Sequence, residues 1–262
     1  SRETRFYRDV IPKLTVRTPR AYYAGLDEAN ERALIIMDDV VAQGGTFLNP
    51  LTPYPVETAE ATLAQIALLH SQTWGAQEQS ELQWLRPRVP LTIDAFPSET
   101  LQAMLDDGRG PDLPPYLRDA ERLKEAVRRV LARTPTCIVH ADTHSGNVYL
   151  DQEGRPCLID WQISQIGHWA IDVAYHIASV LDIDTRRRHE ESLLRGYLDE
   201  LARLGVQAPS FDEAWDEYGI HIVYGYFLWA ITRITSRLWV LEHIPRLGTA
   251  LVDHDTFSRL GV

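Results

Sequence analysis

The densest polar cluster in apolar surroundings is His140-Ala141-Asp142-Thr143-His144-Ser145-Gly146-Asn147, with CIV before it and VYL after it. A loop held between two buried strands presents its side chains at one fixed place. Further on, the run CLIDW carries Asp160 at its end, and a hairpin through QEGRP folds that carboxylate back beside Asn147. Convergence of Asp142, Asn147 and Asp160 suits phosphoryl transfer from ATP. One carboxylate orients the attacking hydroxyl and accepts its proton, while hard oxygen ligands hold magnesium against the phosphates. The same loop permits a second chemistry, because His140-x-Asp142-x-His144 offers up to three transition-metal ligands for activating water. That reading leaves Asn147 and the LIDW run without a role, and side chains alternating along a strand do not all face one ion. Singly, each of these residues also has a plain reading: Asp and Asn satisfy backbone groups in turns, and His140 fits a hydrogen-bonded core histidine.

The elements that must hold this loop are legible to different degrees. Phe6, Val10 and Leu14 recur at helical spacing, with a stop near Pro12. AYYAGL and ALIIM, separated by a polar turn over 27–31, predict a hairpin whose second strand, Ala33 to Met37, is buried. The Gly44-Gly45 pair reads as a turn. Val56 to Trp74 is amphipathic and predicts a helix with His70 packed on its apolar face; residues 86–116, broken by six prolines, predict short helices and loops. Tyr116 to Arg133 returns to helical periodicity. After the β-like pieces CIVH, NVYLD and CLIDW, helices are predicted over about 169–181, 184–204, 211–243 and 249–260.

Composition excludes several classes. There are 26 Lys+Arg against 37 Asp+Glu, a net charge of -11, which argues against a partner held by phosphate neutralisation such as nucleic acid. No apolar stretch is long enough to cross a membrane: Ile220 to Ile231 carries His221 and is soon followed by Arg233. The start of the chain lacks a signal-peptide h-region, so a cytoplasmic protein is expected. Cys137 and Cys157 read as buried free thiols.

HADTHSGNVYL resembles the H-G-D-x-H-x-x-N-x-L loop of the aminoglycoside phosphotransferase and choline/ecdysteroid kinase-like superfamily, and LIDW resembles its I-D-[FW] segment. RETRFYRDVIPKL, LIIMDDV, ALLHSQTW and GHWAIDVAYHI resemble further segments of that family, in the family's order, over about residues 1–180. The resemblance implies an α+β, protein-kinase-like fold: an incomplete β-containing N-terminal lobe and hinge over 1–40, and over 41–262 a mostly helical lobe with an embedded catalytic hairpin that also binds the acceptor. It implies a small-molecule O-phosphotransferase using ATP and Mg2+, with Asp142 as base and Asn147 and Asp160 as magnesium ligands. The adenine-contacting hinge falls on Met37, Asp38, Asp39 and Val40, and Glu3 matches the helix glutamate that pairs with a phosphate-binding lysine. His140 and Asp172 match positions that brace the loop, and His144 matches a second, structural loop histidine.

Two positions depart from the family pattern. Ala141 stands where the loop usually has Gly, and no Gly-rich loop or strand lysine precedes Glu3, the only lysines being Lys13 and Lys124. An upstream segment carrying both is therefore expected, and a non-catalytic nucleotide-binding module is the alternative. The implied partner is a small hydroxylated acceptor. Trp215, Tyr218, Tyr224, Tyr226, Phe227, Trp229 and Trp239 read mainly as helix-packing core, with some lining the acceptor site. Aromatic walls suit a hydrophobic alcohol better than a polycationic aminoglycoside.

Overall fold

The computed structural model describes residues 1–87 and 89–262. Helix α1 (Arg2–Asp9) buries Phe6 and Tyr7 and is followed by a single 3-10 turn, Ile11–Lys13, where Pro12 ends regular helix. Strands β1 (Ala21–Asp27) and β2 (Arg32–Met37) pair antiparallel. Here the structure corrects the sequence reading, because β2 is not buried: Leu34 and Ile36 are 55% and 51% exposed. A two-stranded sheet with α1 against it has only one covered face, so alternate residues of a uniformly apolar strand point outward.

The short strand β3 (Thr46–Phe47) precedes α2 (Val56–Gln72), and α3 (Val89–Ala95), α4 (Ser98–Leu105) and α5 (Ala120–Leu131) follow. Asp119 caps α5 by accepting from the Arg122 N–H. The catalytic-loop region contributes β4 (Cys137–Val139), β5 (Val148–Leu150), β6 (Pro156–Leu158) and β7 (Gln165–Gly167). β5 and β6 form the expected hairpin, with Val148 opposite Leu158. Its turn is set by Asp151, whose carboxylate accepts from the Glu153 and Arg155 N–H groups, and by Gly154 at φ 77°. β3 adds a third strand beside β5, whereas β4 pairs with β7 rather than with the hairpin. β3 and β7 are too short to carry a period in sequence. Cys137 and Cys157 are buried free thiols.

Helices α6 (Ala170–Val180) and α7 (Ile183–Arg203) fall as expected. The run read as one helix over 211–243 is two, α8 (Phe211–Ile231) and α9 (Arg237–Asp253), and the chain ends in α10 (Thr256–Leu260), so the predicted 249–260 helix is divided between the last two. Two causes break it. Ile231, Thr232, Ile234 and Thr235 are β-branched and weak helix formers. The buried Arg109 also donates to the Trp229 and Ala230 carbonyls, taking acceptors that another helical turn would use. One core cluster runs from Phe6 on α1 to Leu260 on α10, with Phe6 stacked on Trp161 at 4.8 Å between ring centres. Among the described residues no helix is long and apolar enough to cross a membrane.

Asp107 anchors the α8–α9 break. It accepts from Arg109 Nε and Nη2 and from Arg237 at the start of α9, and these guanidinium hydrogen bonds hold its carboxyl well below the usual range. A depressed carboxyl stabilises the fold above its unfolded pKa and loses that contribution as pH falls. Asp107→Asn is expected to lower unfolding free energy at pH 7 by about 1–3 kcal/mol, since it leaves a buried guanidinium without its counter-ion. In urea titrations the gap between variant and parent should be constant above about pH 5, narrow progressively as pH falls below about 4, and close only once the folded-state carboxyl is itself protonated.

Candidate active site

Asp172, in the first turn of α6, is fully buried and holds the loop. Its Oδ2 accepts from the His140 N–H and its Oδ1 from the Ala141 N–H, both at 2.7 Å. Ala141 takes φ 69° there, the left-handed region where the family pattern has Gly. From α2, His70 supports the same carboxylate through Nε2 at 3.0 Å, its Nδ1 facing the Tyr197 hydroxyl at 2.8 Å. The next turn of α6 continues the grip. The Thr143 hydroxyl donates to the Asp172 carbonyl, His176 Nδ1 lies 2.8 Å from the Thr143 carbonyl, and the Tyr175 hydroxyl donates to Asp142 Oδ1 at 3.2 Å. Tyr175 reaches that position because α8 has Gly225 opposite it: a Cβ there would stand 2.5 Å from the Tyr175 ring.

The three residues singled out in the sequence come together. Asn147 Nδ2 donates to the Asp142 carbonyl at 2.9 Å, which orients the amide so that Oδ1 is the end left for a cation. The Ile159 N–H donates to the Asn147 carbonyl at 3.1 Å, tying the loop to the strand that leads into Asp160. Asp160 also adopts positive φ, 65°, and its carboxylate accepts from the Gln162 backbone and side-chain amide groups. His140 spans the two segments, with Nε2 at 2.8 Å from the Ile159 carbonyl and its ring 4.6 Å from Trp161. His144 Nδ1 accepts from the Gly146 N–H and its Nε2 stands 3.7 Å from Asp142 Oδ1.

Electrostatics set the Asp142 carboxyl apart. Burial, with the Asp160 charge adding to it, pushes Asp142 up to about 6, and burial brings the His144 imidazole down to about 4. At neutral pH the loop therefore presents an ionised, poorly solvated carboxylate beside a neutral imidazole.

Two cavities meet at this point. One, of about 580 Å3, is lined by Asp142, His144, Asn147 and Asp160 and by the C-terminal end of α8 with the segment that leads into α9. The other, of about 450 Å3, is lined by Glu3, Tyr7, Met37, Asp38, Asp39 and Val40, every residue expected at the nucleotide position. Asp160 and Gln162 line both. The neighbouring Asp160 charge and, first, burial raise the Glu3 carboxyl above its ordinary value. Neither lysine is in this region: Lys124 donates to the Phe96 carbonyl and Ser98, and Lys13 lines a separate small cavity with Gln72 and Leu82. Sequence reading passed over Tyr175 and Gln162. The first carried a signal, since it follows Asp172 at the i,i+3 spacing of one helix face; the second carried none beyond its nearness to Asp160.

Residues 1–206 match the profile of the phosphotransferase enzyme family, APH. The chain belongs to that family. Among solved structures, similarity extends to the choline kinase of Streptococcus pneumoniae, at 12% identity over 97% of this chain and 81% of that one, TM-score 0.55. It extends also to the ethanolamine kinase of Plasmodium vivax, at 16% identity over 95% and 71%, TM-score 0.59. A third is the GDP and kanamycin complex of APH(2")-IIIa, at 14% identity over 96% and 82%, TM-score 0.57. These likenesses establish the fold, a kinase-like one with a helical C-terminal lobe. No curated protein matches the chain.

A carboxyl raised by folding costs stability whenever it is ionised: its favourable contribution is complete below the unfolded pKa, near 4, and is lost as pH rises through about 6. Asp142→Asn, permanently neutral, is expected to unfold at higher denaturant than the parent at pH 8, by about 1–3 kcal/mol, and to match it near pH 4.

Proposed function

We propose that this phosphotransferase-family chain transfers the γ-phosphoryl group of ATP to the hydroxyl of a small molecule. The observation that carries the reading is the pair of cavities sharing Asp160 and Gln162, one walled by the Met37–Val40 segment and the other by Asp142. A donor in the first and an acceptor in the second would have their reacting groups side by side, and positioning supplies most of the rate in this chemistry. Residues 1–40 would then form the nucleotide-facing wall and hinge, and 41–262 the catalytic and acceptor-binding part. A cytoplasmic setting, where ATP is supplied, goes with this reading.

In this reading each residue takes a role that its position supports. Asp142, held by Tyr175 and by the Asp172-pinned backbone, orients the acceptor hydroxyl and takes its proton. The donor set fits magnesium: the Asn147 amide oxygen and the Asp160 carboxylate are hard oxygen ligands lining one cavity. When bound, the ion would offset negative charge on the phosphates. Met37, Asp38, Asp39 and Val40 bind the base, and Glu3 faces the phosphate end beside Asp160. His140, His144 and Asp172 position the loop.

The metal-hydrolase alternative loses support from the same contacts. His140 directs Nε2 at the Ile159 carbonyl and Nδ1 at the Asp142 N–H, so neither nitrogen is free for an ion. Elsewhere His168, Glu217 and His221 bring ligand atoms within 4.8 Å of one another, but the two rings stack at 15°, a geometry in which their in-plane lone pairs do not meet at one ion. A nucleotide-binding module without transfer is favoured by one observation, that neither lysine stands near Glu3. Calorimetry with magnesium-ATP and a turnover assay over hydroxylated acceptors separate the two. Asp142→Asn is expected to lower turnover roughly 10^3-fold with nucleotide affinity kept. Asp160→Asn is expected to weaken nucleotide binding only when magnesium is present. Near-normal turnover by Asp142→Asn sinks the assignment, and tight binding without turnover on any acceptor gives the module.

A further inference from the structure

The cavity beside Asp142 has a composition that restricts its occupant. Among the described residues its only carboxylates are Asp142 and Asp160, the two assigned above to transfer and metal binding. The rest of the wall is largely apolar, with Ile163, Leu228, Ile231 and Ile234 beside two tryptophans. Among the described residues, Arg233 is the one lysine or arginine that lines it. The partners of Arg233 are the Met104 sulfur at 3.3 Å and the Phe96 ring at 5.0 Å, and neither neutralises it.

A cationic acceptor finds little here. A polycation needs carboxylates at several points around it, and a quaternary ammonium needs open aromatic faces. Of the tryptophan and tyrosine rings along this cavity, two are closed off by the protein itself. Trp229 stacks on His243 at 3.8 Å and 7° and is 4% exposed, and Tyr175 is buried. The half-buried Trp239 ring is backed by Gly146, where a Cβ would stand 2.6 Å from it, which leaves one ring where a cage for an ammonium group would need several. Exposed apolar side chains stand in the same stretch of chain, with Ile234 fully exposed and Leu238 and Leu241 exposed along α9 between the charged Arg237 and Glu242.

We infer that the acceptor is an alcohol with an apolar body whose only charge is negative, met by Arg233, and that cationic amino alcohols and aminoglycosides are excluded. This rests on the phosphotransferase reading of the same site. In the reaction the bond between the γ-phosphorus and its bridging oxygen breaks, the acceptor oxygen bonds to that phosphorus, ADP leaves, and the hydroxyl proton passes to Asp142.

The test uses four probes on the purified protein: a medium-chain ω-hydroxy fatty acid, the corresponding fatty alcohol, choline and kanamycin. Binding is read from tryptophan fluorescence, and phosphorylated product with magnesium-ATP from mass spectrometry. The hydroxy acid is expected to bind at least roughly tenfold more tightly than choline or kanamycin. Arg233→Glu and the milder Arg233→Gln should weaken hydroxy-acid binding by roughly tenfold or more while leaving the fatty alcohol little changed, a difference that misfolding would not produce. Preferential binding of choline or kanamycin, binding of none of the four, or no response to either Arg233 variant overturns the inference. Phosphorylated choline or kanamycin overturns the acceptor class and keeps the phosphotransferase. Hydroxy-acid binding that responds to Arg233, with no product from any probe, upholds the acceptor chemistry and overturns the transfer.

Discussion

The Asp172 carboxylate is the contact on which the site depends. It is fully buried, accepts two loop N–H groups and meets one imidazole. Charge-assisted hydrogen bonds to buried carboxylates are among the stronger polar contacts a protein makes, and the unpaired carboxylate would be costly. Because the acceptor lies on α6 and the donors lie in the loop, the helix position sets the position of Asp142. Thr143, Tyr175 and His176 add contacts along the same helix, so the loop is held over more than a full turn of α6.

That grip explains how the site tolerates two unfavourable backbone conformations. Ala141 and Asp160 both take positive φ, each costing roughly 1–2 kcal/mol for a residue with a Cβ. At Ala141 the conformation brings consecutive N–H groups onto Asp172; at Asp160 it turns the carboxylate to where both cavities meet. The raised Asp142 carboxyl is a third cost of the same kind, since the group suited to accept a proton is the one that resists being ionised in the folded chain.

Much of this was legible in the sequence. The spacing of Asp142, Asn147 and Asp160 implied a hairpin, and the β5–β6 pairing brings them together. His70, read as a packed histidine on an apolar helix face, is buried with both nitrogens partnered. What escaped was set by tertiary context. An apolar strand does not say how many of its faces are covered, so the exposure of Leu34 and Ile36 was not foreseen. The apolar run after residue 211 keeps helical character through the break, and Arg109, far away in the chain, is the residue that takes the α8 carbonyls. That break also shapes the proposed acceptor site, because Thr232, Arg233, Ile234 and Thr235 line the cavity beside Asp142.

In the proposed reaction, donor and acceptor adjoin across Asp160. The most direct measurement is an anomalous-scattering map from crystals grown with manganese and ADP. Metal density is expected between the Asn147 amide oxygen and the Asp160 carboxylate, with the adenine against Met37–Val40 and the phosphates running toward Asp142. Metal bound elsewhere, or a nucleotide lying in the cavity walled by Trp229 and Trp239, would contradict it.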